Sequence, residues 1–244
     1  MATSVFESLP KLAEAYRSGG GVAWADHTHN LFEGVERFFR PGYNAHLVGE
    51  WIPALEGVEA RLKSGITVAD VACGHGASTI VMAKAYPNSR FVGFDYHGPS
   101  IDRAREAARE QGLGDRVRFE KASAKDFPGD GYGLVTIFDA LHDMGDPVGA
   151  ARHIRERLAP DGTFMLVEPN ANDELAGNLN PIGRIFYAAS TMVCTPASMN
   201  QEVALALGAQ AGEARLKMVA EEAGYRHFRR AAETPFNMVL ELRA

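Results

Sequence analysis

Cysteine is scarce: Cys73 and Cys194 are the two that occur in 244 residues. Cys73 falls inside a glycine turn, a poor place for a structural disulfide, so reduced thiols and a cytoplasmic setting are expected. Dense runs of Lys and Arg are missing and the net charge is −6, which leaves no electrostatic footprint for nucleic acid. The basic cluster Arg226, His227, Arg229 and Arg230 reads as the polar side of an edge strand. Long apolar runs are missing as well. The most apolar stretch of the second half, residues 182–194, is interrupted by Arg184 and is too short to span a bilayer. The N-terminus has neither a basic region nor an apolar one behind it, so no signal peptide and no membrane partner are expected. What remains is ordinary for a soluble globular chain: 46% hydrophobic and 23% charged residues, in a length that one α/β domain can occupy.

Residues 1–63 read as helical. Leu9, Leu12, Ala13 and Tyr16 share the spacing of one amphipathic helix, and Leu31, Val35, Phe38 and Phe39 that of a second. Gly19, Gly20 and Gly21 separate them, Pro41 with Gly42 should end the second, and 46–62 supplies more helix, interrupted near Pro53. From Ile66 the pattern alternates. Strands are expected at 66–72, 90–94, 116–120, 133–138 and 163–167, with helices near 77–85, 99–111 and 147–158 between them. Asp146 can cap the last of these with Pro147 at its first position, while Gly112 and the pair Asp161, Gly162 mark helix exits. Apolar strands separated by helices predict an α/β fold whose parallel sheet is covered on both faces. Two further strands, at 225–230 and 236–242, are joined by a link holding Pro235 that is too short for a crossover helix; an antiparallel hairpin is expected. A helical insertion punctuated by Pro and Asn occupies 170–210.

The most informative stretch is 68–76, Val-Ala-Asp-Val-Ala-Cys-Gly-His-Gly. It reads as a buried strand that delivers Asp70 and breaks at Ala72 into a turn built on Gly74 and Gly76, with a helix following at once. Such a turn lets the backbone approach a nucleotide-like ligand closely. A second apolar run ends in Asp95, about 20 residues beyond the glycines, where a ribose-binding carboxylate is expected. Thr79 stands where a dinucleotide fingerprint places its third small residue. An acid at Asp70 would repel a pyrophosphate but suits a ligand carrying ammonium and sulfonium groups. A nicotinamide cofactor is therefore the remote alternative.

This pattern resembles motif I of the class I S-adenosylmethionine-dependent methyltransferases, and the resemblance runs from about residue 64 to the end of the sequence. It implies a Rossmann-like, mostly parallel seven-stranded sheet ending in the antiparallel hairpin, with an N-terminal helical cap. It divides the chain into 1–63, cap and substrate lid, and 64–244, the cofactor-binding methyltransferase domain with 170–210 as a helical lid. S-adenosylmethionine is the implied cofactor and S-adenosylhomocysteine the product. Gly74 and Gly76 would then meet the methionine portion and ribose, with Asp70 nearby holding the amino group through bound groups or water. Asp95 would accept both ribose hydroxyls, Tyr96 would lie against the adenine, and Ser123 with Ala124 would meet its edge. Phe138 completes the implied cofactor set. The family usually has a glycine where Ala72 stands, and an acid in place of Ser123.

Methyl transfer is an in-line displacement with an excellent leaving group, so the protein mainly positions an acceptor and manages its proton. Histidine is the usual base for a hydroxyl acceptor. The segment 138–146, Phe-Asp-Ala-Leu-His-Asp-Met-Gly-Asp, is similar to the Leu-His-Asp-Trp-x-Asp segment of small-molecule O-methyltransferases, in which the histidine removes the acceptor proton. His142 matches that histidine, Met144 replaces the tryptophan, and Glu168 matches the carboxylate that orients the histidine. A second acid expected between Gly208 and Glu213 is matched only by Gln210. His142 reads as the catalytic base or as a pocket wall.

His27, Tyr43, Arg184 and Tyr187 are candidates for contact with the acceptor, along with Trp24, His29, Phe32, Phe39 and Met192. His27 and His29 offer a metal-like pair without a complete ligand set, so no metal is expected. The aromatic lining suggests a flat, apolar small molecule. Relatives of this kind carry a winged-helix-like dimerisation domain ahead of the catalytic fold, for which this sequence leaves no room; a homodimer stays open. The expected activity is methylation of a hydroxyl. The alternatives are an N- or C-methyltransferase, or a regulatory protein that binds the cofactor without turnover.

Overall fold

The computed structural model describes residues 2–244. Helices α1 (Ala2–Ser18), α2 (His29–Gly42) and α3 (Val58–Ser64) lead into β1 (Thr67–Val71), after which strands and helices alternate. They are α4 (Ala77–Ala85), β2 (Arg90–Asp95), α5 (Gly98–Glu110), β3 (Val117–Lys121), β4 (Tyr132–Phe138), α6 (Pro147–Arg157) and β5 (Leu158–Pro169). An insertion carrying α7 (Pro181–Ala189) and α8 (Thr195–Met199) follows, then α9 (Gly212–Glu222), β6 (His227–Glu233) and β7 (Asn237–Arg243). The seven strands form one sheet in the order β3-β2-β1-β4-β5-β7-β6. Pairings among β1 to β5 are parallel, while β7 runs antiparallel to both β5 and β6. The chain leaves β1 towards β2 on one side and returns to pair with β4 on the other, so a crevice opens beyond the carboxyl ends of these strands.

Alternation along the strands builds two cores, one on each face of the sheet. Val68, Leu134 and Phe138 pack into one, with Trp51, Leu62 and Met82. Ala69, Val71, Val135 and Ile137 pack into the other, with Ile154, Leu216 and Tyr225. Asp146 caps α6 as expected, its Oδ1 accepting the Gly149 N–H at 2.8 Å, with Pro147 opening the helix. The basic cluster does lie on the edge strand: Arg229 pairs with the fully buried Glu241, and Arg230 with Glu213 and Glu233.

Several expectations are corrected. In α1 the buried stripe is Ser4, Ser8, Leu12 and Ala15, whereas Leu9 and Tyr16 are exposed; two hydroxyls on the inner face hid the true phase. Pro41 and Gly42 close α2 as expected, but the chain does not leave helical geometry there: it continues through wider turns over Tyr43–Trp51, where the Ile52 N–H reaches back to the Leu47 carbonyl. Asp161 and Gly162 lie within β5 rather than in a helix exit. They occupy a bulged stretch, since the register to β4 jumps between Tyr132↔Leu158 and Leu134↔Thr163.

Candidate functional site

The turn after β1 is held in place from behind. Asp70 is 1% exposed, and its carboxylate accepts three hydroxyl protons: Ser78 Oγ at 2.7 Å, Thr79 Oγ1 at 2.6 Å and Thr136 Oγ1 at 2.9 Å. Burial pushes its pKa up and the three hydroxyls pull it down, with burial prevailing. Asp70 therefore ties the start of α4 to β1 and β4, and its side chain does not line the crevice. Ala72 turns the chain with φ 58°, the left-handed region in which the family's glycine would be relaxed; the alanine is strained there rather than at ease. Gly74 (φ 53°) faces open space where a Cβ would stand. Gly76 (φ 77°) is a packing glycine: a Cβ there would lie 2.5 Å from Phe119 Cζ.

Asp95, at the end of β2, is 8% exposed and lines the crevice. Its Oδ2 accepts the Gly74 N–H at 2.9 Å and its Oδ1 the His97 N–H at 2.8 Å. Burial raises its pKa against these two bonds. Each oxygen keeps a second lone pair, so the carboxylate can still accept two hydroxyl protons. Tyr96 follows, 46% exposed, with its ring on the cavity wall. Ser123 and Ala124 stand opposite; the Ser123 N–H and Oγ both bind Asp126 Oδ1, at 2.7 and 2.8 Å. The acid missing at 123 is thus supplied from within the same turn, and faces the backbone.

At the other end of the cavity β4 runs out into a short helical turn, Leu141–Asp143. His142, 3% exposed, places Nδ1 2.5 Å from Glu168 Oε2, and Glu168 Oε1 accepts the Leu141 N–H at 2.9 Å. Glu168 is itself 1% exposed and sits behind the histidine, off the cavity wall. Asp143 Oδ1 lies 3.3 Å from His142 Nε2. Burial opposes a charge on His142, but the Glu168 and Asp143 carboxylates outweigh it, and the imidazolium is held well above its ordinary range. Asp139, with φ 50°, is buried beside Asn237, which donates to its Oδ1 at 2.7 Å. Burial pushes the Asp139 carboxyl well up, and burial with the nearby Asp139 does the same to the Tyr43 phenol. Cys194 closes this corner from the insertion, its thiol pushed up to about 12 by burial and by Asp143.

One cavity of about 530 Å³ joins the two ends. Of the expected residues it brings together Ala72, Gly74, Asp95, Tyr96, Ser123, Ala124, Phe138, His142 and Tyr43. Trp24, Phe32, Phe38 and Phe39 roof it from the N-terminal helices. Five expected acceptor contacts fall elsewhere. His27 is buried against Ser8 Oγ, 3.3 Å from Nδ1. In α7 the helical phase turns Ile185, Phe186 and Ala189 to the cavity, which leaves Arg184 exposed and Tyr187 off the wall. His29 is an exposed partner of Glu33, and Met192 packs on Leu12 and Val22. Gln210 bonds its neighbour's carbonyl and does not reach the cavity; the acid next to His142 is Asp143 instead. Sequence reasoning passed over Glu36 and His75, which meet at 2.9 Å above the glycine turn, and gave Cys194 no role. His75 lies between the motif glycines, so its position was visible; its partner in α2 was not.

A left-handed turn after β1, a carboxylate after β2 and a cavity across the switch point define the architecture of class I methyltransferases, which use S-adenosylmethionine. Residues 62–224 match the family model described as "Methyltransferase domain", and the chain belongs to that family. A curated relative, the tRNA (guanine-N(7)-)-methyltransferase of Leifsonia xyli subsp. xyli, is 30% identical over 105 residues, 43% of this chain and 46% of that protein. The chain thus spans about half the length of that relative. Among solved structures, an O-methyltransferase family protein from Burkholderia thailandensis superposes with a TM-score of 0.68 at 20% identity, covering 98% of this chain and 69% of that one. An O-methyltransferase (NcsB1) from neocarzinostatin biosynthesis, in complex with S-adenosylhomocysteine and 1,4-dihydroxy-2-naphthoic acid, gives a TM-score of 0.67 at 20% identity, covering 98% and 69%. At these identities the two structures establish the fold. Among the described residues no helix is long and apolar enough to cross a membrane.

Proposed function

We propose that this protein is an S-adenosylmethionine-dependent O-methyltransferase acting on a hydroxyl of a small, flat, largely apolar molecule. The observation that carries the reading is the His142–Glu168 pair, 2.5 Å apart, at one end of a cavity whose other end is the Gly74 and Asp95 cradle. The cradle fits the cofactor: open space over Gly74, a carboxylate anchored by two N–H groups with lone pairs to spare, and the exposed face of Tyr96. When bound, S-adenosylmethionine supplies an electrophilic methyl group. The chain's own task is placement. Asp95 takes the ribose hydroxyls and Gly74 admits the cofactor backbone. Asp70 acts one step removed, by fixing the turn through Ser78 and Thr79. The roof formed by 1–63 and the lid 170–210 excludes water from the acceptor.

His142 takes the acceptor proton at Nε2, and Glu168 on Nδ1 holds the ring in orientation and stabilises the imidazolium. To act as base His142 must enter the reaction with Nε2 unprotonated, and the Glu168 and Asp143 carboxylates, which raise its pKa against burial, make it the stronger base. Phe32, Phe39, Tyr43 and Phe138 supply flat apolar faces for an aromatic acceptor. Lys125 is the sole Lys or Arg among the described wall residues, and it is engaged by Asp146 and Glu202, which argues against an anionic acceptor. Replacing His142 by Ala tests the reading. Cofactor affinity, measured by calorimetry, should stay nearly constant while turnover across a panel of phenols falls by roughly 10²–10⁴-fold. Unchanged turnover would assign the methyl group to a nitrogen or carbon acceptor, and failure to bind S-adenosylmethionine would remove the enzyme reading altogether.

A further inference from the structure

His142, Asp143 and Cys194 do more than border the acceptor. Their ligand-type atoms all lie within 4.8 Å of one another at one wall of the cavity. We infer that this cluster is a binding site for a thiophilic divalent cation of the Zn²⁺ class. His142 Nδ1 is committed to Glu168, so Nε2 is the nitrogen available, and it stands 3.3 Å from Asp143 Oδ1. Ligands at roughly 2.0–2.3 Å from a tetrahedral zinc lie about 3.3–3.8 Å apart. The His–Asp pair is already at that spacing, and the thiol needs to close by no more than about 1 Å.

Two further features fit a metal. Asp143 Oδ1 is buried and faces His142 Nε2 at 3.3 Å without completing a hydrogen bond, so a cation between the two would satisfy both. Glu168 on the far nitrogen of His142 reproduces the carboxylate–histidine arrangement that orients metal-bound imidazoles. The charges also balance. A divalent cation displaces the thiol proton of Cys194; thiolate and carboxylate then cancel its charge, and the thiol proton leaves. A donor set of one nitrogen, one sulfur and one oxygen selects Zn²⁺ or Co²⁺ over Mg²⁺ and Ca²⁺, which prefer oxygen alone. Three protein ligands leave the fourth tetrahedral position open to the cavity. On the function proposed above, metal and acceptor proton compete for the same Nε2 lone pair, so the metal inhibits.

Cobalt reports the site independently of activity. Tag-free full chain titrated with Co²⁺ should bind one equivalent and develop a thiolate-to-cobalt charge-transfer band, reversed by Zn²⁺ and not by Mg²⁺. Cys194→Ser should abolish the band and weaken Zn²⁺ binding at least ~10-fold, whereas Cys73→Ser should retain it. Calorimetry of wild-type protein with Zn²⁺ in buffers of different ionisation enthalpy should register proton release, a reading that needs no variant. Absence of the band, its survival in Cys194→Ser, or binding without proton release overturns the site. S-adenosylmethionine affinity, read in the same samples, reports on the proposed function whichever way the metal result falls.

Discussion

Ala72 holds φ at 58°, where its Cβ crowds the following carbonyl at a cost of about 1–2 kcal/mol. Glycine would remove that cost while adding roughly 0.4–1 kcal/mol of unfolded-chain entropy. Ala72→Gly should therefore stabilise the protein by up to about 1 kcal/mol, raising Tm by about 2–4 °C in a chain of this size. The opposite holds at Gly76, where Ala would press a methyl against the Phe119 ring. Gly76→Ala should destabilise by about 2 kcal/mol or more in a denaturant titration. Asp95→Ala should weaken S-adenosylmethionine by roughly 10²–10⁴-fold in calorimetry, the worth of about two charge-assisted hydrogen bonds. Gly74 and Asp95 were legible from sequence because a strand, a turn and a carboxylate are local features. The Cys194–His142 approach was not, since 52 residues and a lid separate them in the chain. Arg184 and Tyr187 misled because one residue turns a helix by about 100°, enough to carry a side chain off the cavity face.

At the scale of elements, a polar contact joins the cap to the glycine turn. Glu36 in α2 meets His75 Nδ1 at 2.9 Å, and the His75 bond holds the Glu36 carboxyl below its usual range, with Arg40 and Arg103 assisting against burial. The folded value lies below the unfolded one, so this contribution is complete above the ordinary glutamate pKa of about 4.3 and fades as pH falls through the folded value. Protection of the α2 amides against hydrogen exchange, relative to the intrinsic rate at each pH, should fall below about pH 4 in the wild type and be low throughout in Glu36→Gln. The stripe Leu31, Val35, Phe38 and Phe39 was read correctly as one face of a helix, but it faces the cavity. Periodicity reports which residues share a face, and cannot say whether that face meets core or ligand.

For the whole molecule, the alternating strands and the final antiparallel pair were readable because each strand is apolar and each link is either long enough for a helix or too short for one. The order of the other strands was a matter of resemblance, whereas the basic residues of β6 marked it as an edge, which leaves β7 as the inner strand of the hairpin. That placement has a consequence for biosynthesis. Residues 237–243 bridge β5 to β6, pairing Phe164 with Leu242 on one side and His227 with Arg243 on the other. The sheet consequently cannot be completed while those residues are still inside the ribosome, however long the earlier strands have been free. Nascent chains stalled before residue 237 clears the exit tunnel should be digested by a protease that spares the finished protein, which makes β7, an inner strand made after both of its neighbours, the one that commits the sheet to its fold.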